Sequence, residues 1–139
     1  MRVCMNKLNQ KELLERGLIS DPTDDIGDMD GPYKYTKDEV DKRVKNTTWN
    51  GNYRTGYLND VGAFVPKYVG RGVVNDRLKK HLDEGCKDTH FKFMYEADEI
   101  KSYEIESAGY HRFQGQIRNE IHPRKPDGMD ELFCPYCGE

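Results

Sequence analysis

Residues 54–81 read RTGYLNDVGAFVPKYVGRGVVNDRLKKH. Two β-like runs, RTGYL (54–58) and FVPKYV (64–69), flank NDVGA, a segment with turn chemistry, and together they predict a β-hairpin. Pro66 lacks a ladder donor, so the second strand is expected near an edge or a bulge. The chain then passes with almost no loop into a helix from Asn75 to Glu84, capped by Asn75 or Asp76 and closed by Gly85. On that helix Arg77 and His81 stand four residues apart and so lie one above the other. Leu78 and Leu82 form the neighbouring stripe that can anchor the helix to the hairpin.

Downstream, HFKFMY (90–95) alternates Phe91, Phe93 and Tyr95 against Lys92 and Met94, the pattern of a half-buried third strand. A last helix is expected from about Ser102 to Phe113. Upstream, Asn6 to Gly17 reads as a short helix, and Thr36 to Lys45 as another, opened by a Thr-x-x-Glu capping box. Between them lies the acidic, turn-rich DPTDDIGDMDGP. Its Asp28-x-Asp30-Gly31 is not a calcium loop, because Ile26 and Lys37 stand where the first Asp and final Glu would be needed. The order hairpin, helix, strand, helix predicts an α+β fold with a small three-stranded antiparallel sheet flanked by helices. Residues 1–50 then form an N-terminal helical extension, 51–123 the central domain, and 124–139 a C-terminal tail.

The 139 residues suffice for one domain with a modest core, helped by nine tyrosines and five phenylalanines. No apolar run approaches the roughly 20 residues that span a bilayer, and MRVCMNKLNQ lacks the apolar stretch of a signal peptide, so the expected compartment is the cytoplasm and no membrane partner is expected. A net charge of -3 argues against a protein that coats nucleic acid by charge alone. Residues 51–93 are nevertheless the positive third, with eight Lys/Arg against five Asp/Glu.

Chemistry concentrates on a few side chains. Tyr103, Glu106, Tyr110 and Phe113 follow one helical stripe, and a carboxylate stands where an apolar residue is expected. Such a group must lie at the stripe's edge, pair with a cation such as Arg77, or hold a metal. Glu104 lies off the stripe and reads as a surface charge. Tyr57 and Tyr68 flank the hairpin turn. With Arg77, His81 and Glu106 they would supply a phenol, a guanidinium, an imidazole and a carboxylate, the parts that metal-assisted phosphodiester hydrolysis needs.

TGYL, KYVG, Arg77 with His81 four residues on, Glu106 and then Asn119 resemble the GIY-YIG nuclease domain over residues 55–123, about half the chain. Tyr68-Val69-Gly70 stands for the second tripeptide. Thr55-Gly56-Tyr57 stands for the first, in preference to Gly51-Asn52-Tyr53, which stretches the spacing between the tyrosines to fifteen. The resemblance implies a divalent-metal-dependent endonuclease acting on DNA, the family's usual substrate, with RNA left open. It implies Tyr57 as base or proton relay to His81, and Tyr68 orienting the phosphate. Arg77 would stabilise transition-state charge, Glu106 would be the one protein ligand of Mg²⁺ or Mn²⁺, and Asn119 would support the site. The alternative is an inactive scaffold of the same kind that binds nucleic acid or a protein partner.

The cysteines add a separate expectation. Cys134-Pro-Tyr-Cys137 is half of a zinc knuckle, and Cys86-x3-His90 is the best-spaced second half, giving a Cys₃His structural Zn²⁺ site that ties the tail to the domain. A zinc-stabilised interaction protein would explain CPYC but not Glu106 in its apolar stripe.

Overall fold

The computed structural model describes residues 29–139. The expected helix from Asn6 to Gly17, and the acidic segment as far as Asp28, lie outside the described residues. The elements run β1 (Asp30–Lys34), α1 (Lys37–Arg43), β2 (Asn50–Leu58), β3 (Phe64–Val73), α2 (Val74–Asp83), β4 (His90–Tyr95) and α3 (Glu99–Arg112). They form an α+β fold around one antiparallel sheet in the order β1-β4-β2-β3.

The hairpin is longer than the sequence suggests. Its ladder runs from Asn50↔Val73 to Leu58↔Phe64, with a register shift between Thr55 and Gly56. Pro66 sits beside that irregularity on the outer strand, where a missing N–H is tolerated.

The sheet has four strands, not three. The extra one, DGPYK, pairs with β4 at the opposite edge, through a bulge between Asp30 and Tyr33. Its glycine, proline and aspartate carry turn chemistry, which hid a strand that an edge position permits. The described part of residues 1–50 is thus not purely helical, and it packs into the same body. Tyr35, Val40 and Val44 share one buried cluster with Tyr53, Val74, Leu78, Phe91 and Phe93.

Helix α1 starts where the capping residue says it should: Glu39 N donates to Thr36 Oγ1 at 3.1 Å. The Glu39 carboxylate does not complete the box, because it accepts from Arg43 Nε at 3.0 Å. Helix α2 begins one residue before the expected cap, and Val73 at its N-cap makes no side-chain bond. Asn75 turns to α1 instead, donating from Nδ2 to Val44 O at 3.0 Å and to Asp41 Oδ1 at 3.2 Å. Helix α3 begins three residues earlier than expected, because Asp98 Oδ1 accepts from Ile100 N at 2.9 Å and Lys101 N at 3.0 Å.

Successive residues of β2 point to opposite faces of the sheet. Tyr53 faces α2 and the apolar cluster, while Arg54 faces α3 and lies 5.4 Å from the Phe113 ring centre. No helix among the described residues is long and apolar enough to cross a membrane.

Candidate active site and metal centre

Tyr53, Tyr68, Arg77 and His81 come together where α2 crosses the β2–β3 hairpin. Tyr53 is directly paired with Gly70, and the absence of a side chain there gives the phenol its place: a Cβ on Gly70 would lie 2.4 Å from Tyr53 Cζ and 2.5 Å from its oxygen. The phenol reaches across β3, and its oxygen lies 2.8 Å from His81 Nε2. The Tyr53 and Tyr68 rings stack at 6.3 Å, and the Tyr68 and His81 rings meet edge-on at 4.8 Å. Arg77 lays its aliphatic stem over Gly72, whose φ of +135° also favours glycine.

Burial pushes the Tyr53 phenol well above its ordinary value, against the pull of the Arg77 guanidinium. Burial also lowers the His81 pKa, and Arg77 lowers it further. Tyr53 is therefore a neutral donor and His81 a neutral acceptor at pH 7. With Nε2 accepting, Nδ1 carries the ring proton and faces Glu84 Oε1 at 3.8 Å. An open cleft of about 430 Å³, lined by Tyr68, His81, Lys87, Asp88 and Arg118 among others, adjoins this cluster.

Glu106 pairs with a cation, but with Arg71 of β3 and not with Arg77: Arg71 Nη1 donates to Glu106 Oε1. Burial raises the Glu106 pKa, opposed by Arg71 first and Arg77 second. The charge of Glu106 in turn raises both Tyr53 and Tyr68, so the carboxylate shares one electrostatic neighbourhood with the aromatic cluster. Asn119 closes the outer edge of β3. Its Oδ1 accepts from Val69 N at 3.0 Å and its Nδ2 donates to Val69 O at 2.8 Å, which fixes the backbone between Tyr68 and Gly70.

Tyr57 does not join this group. It pairs with Val65 near the hairpin turn and is 43% exposed. Four residues of strand, about 13 Å, separate it from Tyr53. The tyrosine in contact with Tyr68 and His81 is Tyr53, from the wider-spaced Gly51-Asn52-Tyr53. The register signals this, because Tyr68 lies opposite Thr55 and Gly70 opposite Tyr53, whereas counting outward from the tyrosines alone does not.

The second centre is made by His111, His122, Cys134 and Cys137, whose ligand atoms all lie within 4.8 Å of one another. Cys134 Sγ is 3.5 Å from His111 Nε2, Cys137 Sγ is 3.4 Å from His122 Nε2, and the two Nε2 atoms are 3.2 Å apart. A tetrahedral zinc site with ordinary bond lengths requires about 3.4 Å between two nitrogens and about 3.6 Å between nitrogen and sulfur. His122 Nδ1 donates to Pro123 O at 3.0 Å, which leaves its Nε2 lone pair turned to the centre. Burial raises the Cys137 thiol to about 11, so an incoming metal would displace a proton. This His₂Cys₂ group could hold a metal ion such as zinc.

Cys134 and Cys137 were expected there, but Cys86 and His90 do not complete the set. Cys86 Sγ lies 3.7 Å from Arg118 Nη2, and His90 Nδ1 lies 2.9 Å from Thr89 Oγ1. The tail folds back along α3, against Tyr103 and His111, rather than toward the start of β4, so a helix-end histidine and a loop histidine supply the other ligands. No family profile, curated protein or solved structure matches the chain.

Proposed function

We propose that the chain is a divalent-metal-dependent endonuclease that hydrolyses phosphodiester bonds in DNA, with Tyr53 in the role first assigned to Tyr57. The observation that carries this reading is the 2.8 Å contact between the Tyr53 hydroxyl and His81 Nε2, formed beside Tyr68 and Arg77 in the electrostatic reach of Glu106. A buried phenol with a raised pKa is a poor base by itself. Hydrogen-bonded to a neutral imidazole, it can pass a proton from an attacking water through its oxygen to His81.

The remaining residues bind and orient. Arg77 presents a fixed fork of donors to the phosphate and offsets the charge that builds up in the transition state. Tyr68 stacks on Tyr53 and meets His81 edge-on, which holds the relay in one geometry. Glu106 Oε1 is taken by Arg71, so Oε2 is the oxygen that would hold Mg²⁺ or Mn²⁺. When bound, that ion supplies Lewis-acid stabilisation of the phosphate and leaving oxygen. The His₂Cys₂ group is read as a structural Zn²⁺ site, on the strength of its ligand spacings.

A second reading is favoured by one observation: the Arg71–Glu106 pair already neutralises the carboxylate, as it would in a scaffold that binds nucleic acid without cutting it. Incubating the zinc-loaded protein with plasmid, single-stranded DNA and RNA in Mg²⁺ or Mn²⁺ separates the two. The nuclease reading expects DNA cleavage that EDTA stops and that folded Glu106→Ala and Arg77→Ala proteins lose by at least about a hundredfold. Binding without cleavage, or cleavage unaffected by Glu106→Ala, sinks it.

A further inference from the structure

Arg71, on the outer strand β3, is held at both ends of its guanidinium. Nη1 donates to Glu106 Oε1, and Nη2 donates to the backbone carbonyl of Arg124 in the tail. Arg71 Cζ also lies 5.3 Å from the centre of the Tyr103 ring. That ring is fully buried and packs against Cys134 and Cys137. Arg124 follows His122 by two residues. The His₂Cys₂ group therefore touches Arg71 by two routes, one along the backbone from His122 and one through the Tyr103 ring.

We infer that the metal-held tail is what positions Arg71 and, through it, the carboxylate of Glu106. An arginine side chain samples many rotamers unless its donors are satisfied in fixed directions. Here one acceptor and one packing platform come from, or rest on, the segment that the metal closes. The apolar contacts of that segment are Pro123 and Pro126, buried on either side of Arg124, and Cys134, Cys137, Leu132 and Tyr136 around Tyr103. Without the cross-link, only these contacts restrain the Arg124 carbonyl, and Arg71 is freer to turn its donors to water. Glu106, enclosed and deprived of a fixed partner, then loses the orientation that a catalytic carboxylate needs. Arg71 acts through Glu106 and is a positioning residue. The role of Glu106 rests on the nuclease reading, but the link from metal to Arg71 does not.

The test follows the Arg71 Nε–H resonance by NMR, identified by its loss in Arg71→Lys. It is recorded in zinc-loaded protein, in protein stripped by a chelator under reducing conditions, and in Cys137→Ser. Proton exchange is expected to become at least ten times faster on loss of zinc and to recover when zinc is restored, while the Phe91 and Phe93 amides of β4 stay protected. Unchanged Arg71 exchange in a stripped protein whose tail amides have opened overturns the proposal. If stripping unfolds the whole domain, Arg71→Met in the folded zinc-loaded protein decides. Coupling between sites is reciprocal, so at equilibrium with a chromogenic chelator this variant should hold zinc several times more weakly than the parent, and an equal affinity overturns the proposal. Cleavage of DNA by the zinc-loaded protein reports on the nuclease reading separately. No cleavage, with the Arg71 response intact, removes that reading and leaves the coupling standing.

Discussion

The two faces of the sheet are stabilised by different means. On the face toward α1 and α2, Tyr35, Val40, Val44, Tyr53, Val74, Leu78, Phe91 and Phe93 make a continuous apolar core. On the face toward α3, polar side chains are buried among apolar ones such as Val69, Tyr103 and Phe113. Arg54 is 1% exposed, and Asn52 exchanges two hydrogen bonds of 2.9 Å with Ser102, one to its carbonyl and one from its hydroxyl. The Arg71–Glu106 pair belongs to this polar side, and the tail with its His₂Cys₂ group closes it. The first face can hold itself together by excluding water. The second needs each polar group to keep its partner, and a metal held by the His₂Cys₂ group would suit that need by fixing partners that apolar packing leaves loose.

Substitutions should separate the two faces. The largest effect is expected in the apolar core, where Phe91→Ala, at a fully buried position, should cost about 3–5 kcal/mol in urea unfolding, whether or not zinc is bound. Gly70→Ala should cost about 1–3 kcal/mol, because the new methyl occupies the space of the Tyr53 phenol. The same change should displace the relay, so cleavage should fall further than stability does.

A pH series sharpens the role of His81. Its folded pKa is lowered by burial and by Arg77, so its contribution to stability is present above the ordinary value near 6.5 and is lost as pH falls from there toward the folded pKa. Activity that needs the neutral ring should therefore have its acid limb below 6.5. Arg77→Ala removes one of the groups that lower the pKa, and in whatever activity remains the limb should move to higher pH. An unmoved limb would show that His81 is not the proton acceptor. The smallest effect is expected at the exposed hairpin end, where Tyr57→Phe should change stability by no more than about 0.5 kcal/mol.

The apolar face was legible because its elements carry period and punctuation. HFKFMY alternates and is a strand over the same six residues. Helix α2 was placed to within a residue by Leu78, Leu82 and Gly85. The polar face was not legible, since its organisation depends on where distant segments return. Arg71 reads in sequence as one more basic residue between two glycines, and only the fold brings Glu106 and the Arg124 carbonyl to it. His111 and His122 stand 23 and 12 residues before Cys134, with none of the short spacing of a zinc knuckle. Strand β1 was masked by turn-forming residues that an edge strand tolerates. Tyr53 is signalled by the hairpin ladder, in which Gly70 is its partner, and not by the spacing between tyrosines.

Tyr53, joined to His81, is the group proposed to carry the proton transfer, and Tyr57 is not. The direct measurement is the rate of Mg²⁺-dependent or Mn²⁺-dependent DNA cleavage by zinc-loaded parent protein, Tyr53→Phe and Tyr57→Phe, each verified as folded. The parent and Tyr57→Phe should cleave at similar rates, and Tyr53→Phe should be slower by about 10²–10⁴-fold, the usual weight of a positioned proton-transfer group. A parent protein that does not cleave, or a Tyr53→Phe protein that cleaves as fast as the parent, would contradict this assignment.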